Sequence, residues 1–198
     1  MTPPNTTARR GVAPAGARAS TLRARMALAA MTVLVLVLAT TPAQAAPAPL
    51  LAPSAAPPFR VQDVQGHTLD LPELLRRGPV LLDFWATWCA PCVQALPELE
   101  TWHRRYGPLG LTVVGVSVDG PRNFARVRPF VASRGLTFPV VLDRDGRLQQ
   151  SYQVLAAPTA VLIDTSGAIV QVRTGYRPGE GVKFEDSIRA LLRGAKTP

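Results

Sequence analysis

A three-layer α/β/α sandwich around a mixed sheet is predicted by three features of this 198-residue sequence. The run Leu111 to Val118 (LTVVGVSV) is continuously apolar and rich in β-branched residues. That is the mark of a strand covered on both faces by helices, and it implies parallel neighbours. Flanking stretches place apolar residues at helical spacing, Val93, Leu96, Leu99 and Trp102 before the run and Phe124, Val127, Phe130 and Val131 after it. Finally, Ala160 to Ile163 and Ile169 to Thr174 flank the turn residues Asp164-Thr165-Ser166-Gly167, which predicts an antiparallel hairpin at the edge of the sheet.

Taken in order, Met1 to Ala45 carries Arg9, Arg10, Arg18, Arg23 and Arg25 and no acidic residue. Its apolar run Met26 to Ala39 is 14 residues long, shorter than the roughly 20 needed to span a bilayer. Ala43-Gln44-Ala45 supplies a small-x-small cleavage pattern, so residues 1–45 read as a secretory signal, with an uncleaved membrane anchor as the alternative. Gly11-Val12-Ala13-Pro14 continues Arg9-Arg10 poorly for a twin-arginine signal. Residues 46–58 (APAPLLAPSAAPP) are Pro- and Ala-rich and read as an extended linker. One domain, residues 59–198, remains. The whole chain is at +9, but removing the five leader arginines leaves 17 basic and 13 acidic residues, near +4, and such a charge calls for no nucleic-acid partner.

Within that domain, Phe59 to Asp70 predicts two short extended pieces around Gln65-Gly66, a hairpin cap, and Leu71 to Leu75 a short helix. Val80, Leu81 and Leu82 open a buried strand. The following helix, ending at Gly107-Pro108, is expected to turn Leu99 and Trp102 inward and Glu98, Glu100, Arg104 and Arg105 outward. Asn123 to Arg134 predicts a crossover helix, Phe138 to Leu142 a strand, Arg147 to Gln153 a short helix and Phe184 to Arg193 a closing amphipathic helix. His67 reads as a solvated loop residue and His103 as surface.

The chemistry concentrates in Val80 to Pro97, VLLDFWATWCAPCVQALP, which holds the chain's two cysteines, Cys89 and Cys92. Cys89 falls at a strand-to-helix turn, where unpaired amides and the positive helix end favour a thiolate. Cys92, one turn further on, is placed to attack a mixed disulfide formed at Cys89 and release its product, leaving an intramolecular disulfide. Two inert readings compete. A structural disulfide across so short a loop restricts the unfolded chain little, and a zinc site lacks ligands, since His67 and His103 are the only histidines. Trp85 and Trp88 read either as core aromatics or as a flat apolar platform for a partner's peptide. Asp83 lies inside the apolar strand and by alternation faces one covered side of the sheet, which raises its pKa unless it is partnered.

FWATWCAPC with Pro97 five residues after the second cysteine resembles the thioredoxin superfamily, and ATWCAPC is most similar to its extracytoplasmic TlpA/ResA-type branch. Ala156-Ala157-Pro158-Thr159 agrees, being similar to the family loop whose proline is cis and faces the cysteines. The resemblance runs from about Phe59 to Leu192 and implies a thioredoxin-like fold, with Asp83 as the base that takes the proton of Cys92. A purely structural Asp83, bonded to a backbone amide or a charged side chain, is the alternative. It further implies that Ala157 pairs with an extended partner segment, with Pro158, Trp85, Trp88 and Pro91 completing the substrate platform. Pro91 suits the first turn of the helix. One departure stands out: the branch carries Glu three residues after the second cysteine, and here that position is Ala95.

The expected activity is therefore thiol-disulfide exchange outside the cytosol, reductive in direction, with no cofactor beyond the Cys89/Cys92 couple. The expected partners are protein disulfides, as in cytochrome c or copper-site maturation, and a membrane thiol electron donor. A monomer is expected, with a membrane tether as an option. A thiol peroxidase is a competing reading, although its T-x-x-C pattern is not met by Thr87, two residues before Cys89. A copper-carrying module is another, although it would want C-x-x-x-C and a histidine near Pro158.

Overall fold

The computed structural model describes residues 54–194. The signal segment and most of the linker lie outside the described residues, and among those described no helix is long and apolar enough to cross a membrane. Strands β1 (Arg60–Gln62) and β2 (Thr68–Asp70) form the antiparallel hairpin, with Val61 opposite Leu69. Its turn contains Gly66 at φ 93°, a left-handed conformation that glycine adopts without steric cost. Asp63 closes the same turn by accepting from the Gln65 and His67 amides, both at 2.8 Å. His67 itself is exposed, its ring Nδ1 3.1 Å from Asp63 Oδ2. Helix α1 (Leu71–Leu75) follows, capped by Asp70, whose carboxylate accepts from the Glu73 amide.

The central sheet has the order β5-β4-β3-β6-β7. Strands β3 (Val80–Trp85), β4 (Thr112–Ser117) and β5 (Val140–Leu142) run parallel, while β6 (Thr159–Ile163) and β7 (Ile169–Thr174) are antiparallel additions beyond β3. Strand β3 is buried along its whole length because it is central and covered on both faces. Strand β5 begins at Val140 rather than Phe138, since Pro139 has no N–H for the ladder and contributes only its carbonyl, which accepts from Gly115.

Helices α2 (Ala90–Tyr106), α3 (Phe124–Ser133) and α5 (Gly181–Gly194) cover one face, packing Cys92, Leu96, Leu99, Trp102, Val127 and Phe184 against Leu81, Trp85 and Val113. The hairpin, α1 and α4 (Arg147–Ser151) cover the other face, over Leu82, Phe84, Val114 and Val116. These are the three layers and the hairpin cap expected from the sequence. Helix α4 stops before Gln153, which lies at φ 54°, and α5 starts three residues earlier than Phe184.

Side-chain placement corrects three expectations. Glu98 does not face solvent but pairs with Arg173 of β7 at 3.1 Å. Glu100 is also turned inward, accepting from the Thr137 amide and hydroxyl, so that α2 fastens the entry to β5. Burial by itself would raise the pKa of Glu100, but the Thr137 hydrogen bonds together with the hydrogen bond and charge of Arg104 outweigh it and lower the pKa. His103 is partly buried and meets Phe138 edge-on at 6.1 Å. Residues 54–57, expected to be linker, are anchored: the Ala56 amide donates to Gly167, the Ile169 amide to Ser54, and the Tyr152 hydroxyl to Pro57.

Candidate active site

The parallel strands β3 and β4 end at the same edge, and the loops leaving them build the site. Residues 86–88 turn from β3 into α2, with the Cys89 amide donating back to Ala86 at 3.2 Å. Cys89 is the N-cap of α2 and Pro91 sits in its first turn, where a missing N–H costs nothing. The two sulfurs are joined in a disulfide, with Cα atoms 5.2 Å apart. The Cys92 amide donates to Cys89 Sγ at 3.3 Å. A donor and a helix N-terminus directed at one sulfur favour the anionic form of that sulfur once the disulfide is reduced.

Access separates the two cysteines. Cys92 is fully enclosed, whereas Cys89 keeps 6 % exposure, less than a freely exposed thiol would have. The outer sulfur is therefore the more accessible of the two. It lies 3.6 Å from the carbonyl oxygen of Ala157, within range of a thiol donor in the reduced state. The Ala157–Pro158 bond is cis. Pro158 is buried, and its carbonyl accepts from the Gly175 amide at 2.8 Å, tying this loop to the end of β7.

The two tryptophans part company. Trp88, next to Cys89, is 66 % exposed and presents an apolar face beside the sulfur. Trp85 is fully buried, 5.6 Å from the Phe130 ring, so it is a core residue and does not shape the edge of a substrate platform. Its alternation in β3 points it inward beneath α3, a consequence of strand register that its proximity to Cys89 in sequence concealed.

Asp83 is 1 % exposed, on the face of β3 that also carries Leu81 and Trp85 and that packs against Cys92. Burial pushes its carboxyl up to about 7, with Arg173 opposing that rise and Glu98 adding to it. Its Oδ2 has no hydrogen-bond partner, which leaves an acceptor free on this buried side of the sheet. Ala95, where the resembled branch carries Glu, is buried on the inner face of α2.

Asp119 was not anticipated. Buried at the end of β4, it accepts from the Thr87 amide at 2.9 Å, the Thr87 hydroxyl at 2.5 Å and the Ser117 hydroxyl at 2.9 Å, and so clamps the turn that delivers Cys89. The available signal was its place just past the carboxyl end of an apolar parallel strand, where α/β sheets hold their functional groups. Asp119→Ala is expected to slow disulfide exchange and to cost about 2 to 4 kcal/mol of stability, because three donors lose a charged acceptor. Urea unfolding and exchange rates of the purified protein check the two effects.

Comparison with known proteins gives a consistent picture. The AhpC/TSA family matches residues 53–172. A thiol-disulfide oxidoreductase ResA of Geobacillus kaustophilus is 35 % identical over 130 residues, covering 66 % of this chain and 73 % of the relative. Its namesake in Bacillus subtilis is 38 % identical over 122 residues, 62 % of this chain and 66 % of the relative. Among solved structures, one described as a thiol:disulfide interchange protein DsbE from Chlorobium tepidum superposes with a TM-score of 0.66 at 31 % identity, over 71 % of this chain and 97 % of that one.

Proposed function

The chain belongs to the AhpC/TSA family and is a thiol-disulfide oxidoreductase of thioredoxin-like fold, and from that premise we propose that it reduces protein disulfides outside the cytosol. The observation that carries the reading is the Cys89–Cys92 disulfide at the start of α2, its outer sulfur against the cis Ala157–Pro158 loop. In the proposed cycle the Cys89 thiolate attacks one sulfur of a substrate disulfide. That S–S bond breaks, the far sulfur leaves with its electron pair and takes a proton, and a mixed disulfide remains on Cys89. Cys92 then gives its proton to Asp83 and attacks Cys89 Sγ. The Cys89–Cys92 bond forms as the second substrate thiolate departs, so two electrons have passed from the dithiol to the substrate.

Ala157 and Pro158 hold an extended partner segment, Trp88 supplies an apolar flank, and Pro91 shapes the first turn of α2. No cofactor beyond the dithiol takes part. The export reading rests on the leader pattern ending at Ala45, and the electrons are proposed to come from a membrane thiol carrier. Cytochrome c or copper-site proteins are the proposed substrates, by analogy with the resembled branch. Peroxidase chemistry is disfavoured because the Thr87 hydroxyl is committed to Asp119.

The test is the reduction potential of the Cys89/Cys92 couple, measured together with reduction of insulin disulfides. A potential near that of thioredoxin, about −270 mV, with insulin reduction supports the reading; one near about −120 mV, as in a strong oxidant, overturns the reductive direction.

A further inference from the structure

Asp83 is paired in register with Ala160 of β6, and Ala160 in turn with Arg173 of β7. Residues paired directly across neighbouring strands project to the same face, so Arg173 stands in line with Asp83 two strands away, about 10 Å at the backbone. Only Ala160, with its single methyl, stands between the two positions in that row. The arginine is largely withdrawn from water: its side chain is 15 % exposed, with Cζ 5.1 Å from the Phe184 ring centroid, 5.6 Å from Trp102 and 5.7 Å from Tyr176. Aromatic walls of this kind reduce screening, so its charge is felt at greater range than a surface arginine's.

Glu98 of α2 holds the other side of the guanidinium through Nη1 at 3.1 Å. Arg173 Nε, like Asp83 Oδ2, is enclosed without a partner. Glu98 is itself confined, since even a Cβ on Gly181, the first residue of α5, would overlap its carboxylate. Among the described residues no other charge bears on Asp83: β4 contributes Gly115, β6 Ala160, and the helices over this face pack Leu96 and Leu99 of α2 and Phe184 and Ile188 of α5.

We propose that Arg173, restrained by Glu98, is a positioning residue that keeps Asp83 in its proton-accepting form while Cys92 resolves the mixed disulfide. Arg173 attracts the carboxylate and favours ionisation, whereas Glu98 repels it and tempers that effect. Glu98 lies about one helical turn beyond Ala95 on α2, so the ion pair adds an acid to the stretch of helix where Ala95 supplies none. The inference rests on Asp83 being the proton acceptor.

The experiment mixes the reduced full chain with dithiobis(nitrobenzoate) and follows two successive releases of thionitrobenzoate. The first reports attack by Cys89 and the second attack by Cys92, each recorded across roughly pH 5 to 9. Arg173→Met is expected to move the midpoint of the second phase upward by about one unit, slowing it about fivefold at neutral pH, while the first phase is unchanged. Glu98→Gln is expected to move the midpoint downward, and Arg173→Lys to stay near the parent. Structural loosening does not shift two midpoints in opposite directions. If Asp83→Asn removes the pH dependence but both variants leave the midpoint in place, or move it in the same direction, the inference is overturned. If Asp83→Asn leaves the pH dependence intact, Asp83 is not the acceptor and both proposals fall.

Discussion

In a Cys92→Ala protein, substrate is expected to remain attached to Cys89 as a mixed disulfide that survives non-reducing electrophoresis. Cys89 keeps its place at the start of α2, so the first attack proceeds. What disappears is the internal thiol, enclosed one turn away, that would displace the product. An outside thiol must then do the work in a bimolecular step, and turnover is expected to fall roughly a hundredfold or more. The trapped adduct also identifies the partner by mass spectrometry. Cys89→Ser is expected to trap nothing, because Cys92 is fully buried and out of a partner's reach. Trapping at Cys92 in that variant would reverse the assigned order of attack.

Asp83→Asn is expected to separate stability from activity. The folded protein holds the Asp83 proton up to about pH 7, whereas the unfolded chain releases it near the usual 3.8. Between those values the folded state binds more protons, so stability declines as pH rises, by on the order of 4 kcal/mol in total. An asparagine does not titrate and removes that decline. The variant is therefore expected to match the parent below about pH 4 and to exceed it at neutral pH, read as a higher midpoint in urea. Release of the mixed disulfide is expected to slow on the order of a hundredfold near neutral pH, as for loss of a general base, while its formation is spared. Equal slowing of both steps, or no gain in stability, would refute the assignment.

These two results bear on why a carboxylate is kept in the core at all. A buried acid without a hydrogen-bond partner at Oδ2 opposes folding once it ionises. A group poised near neutrality is also a proton acceptor suited to a thiol. The Arg173–Glu98 pair gives the fold two opposed handles on that balance, and their opposite signs make it separable by mutation.

Local chain properties determined much of this protein. The β-branched run into β4, the helical spacing behind Cys89, the C-x-x-C at a strand-to-helix turn and the Asp-Thr-Ser-Gly turn each act within a few residues. Elements and cysteine chemistry were therefore readable in order. Tertiary structure decided what depends on pairing between distant segments. Trp85 became core because β3 register turns it beneath α3, Glu98 and Glu100 turned inward because Arg173 and Thr137 meet them from other elements, and Asp119 reached Thr87 across 32 positions. The row from Asp83 through Ala160 to Arg173 exists only where three strands lie side by side, and no periodicity within one strand encodes the charge carried by its neighbour's neighbour.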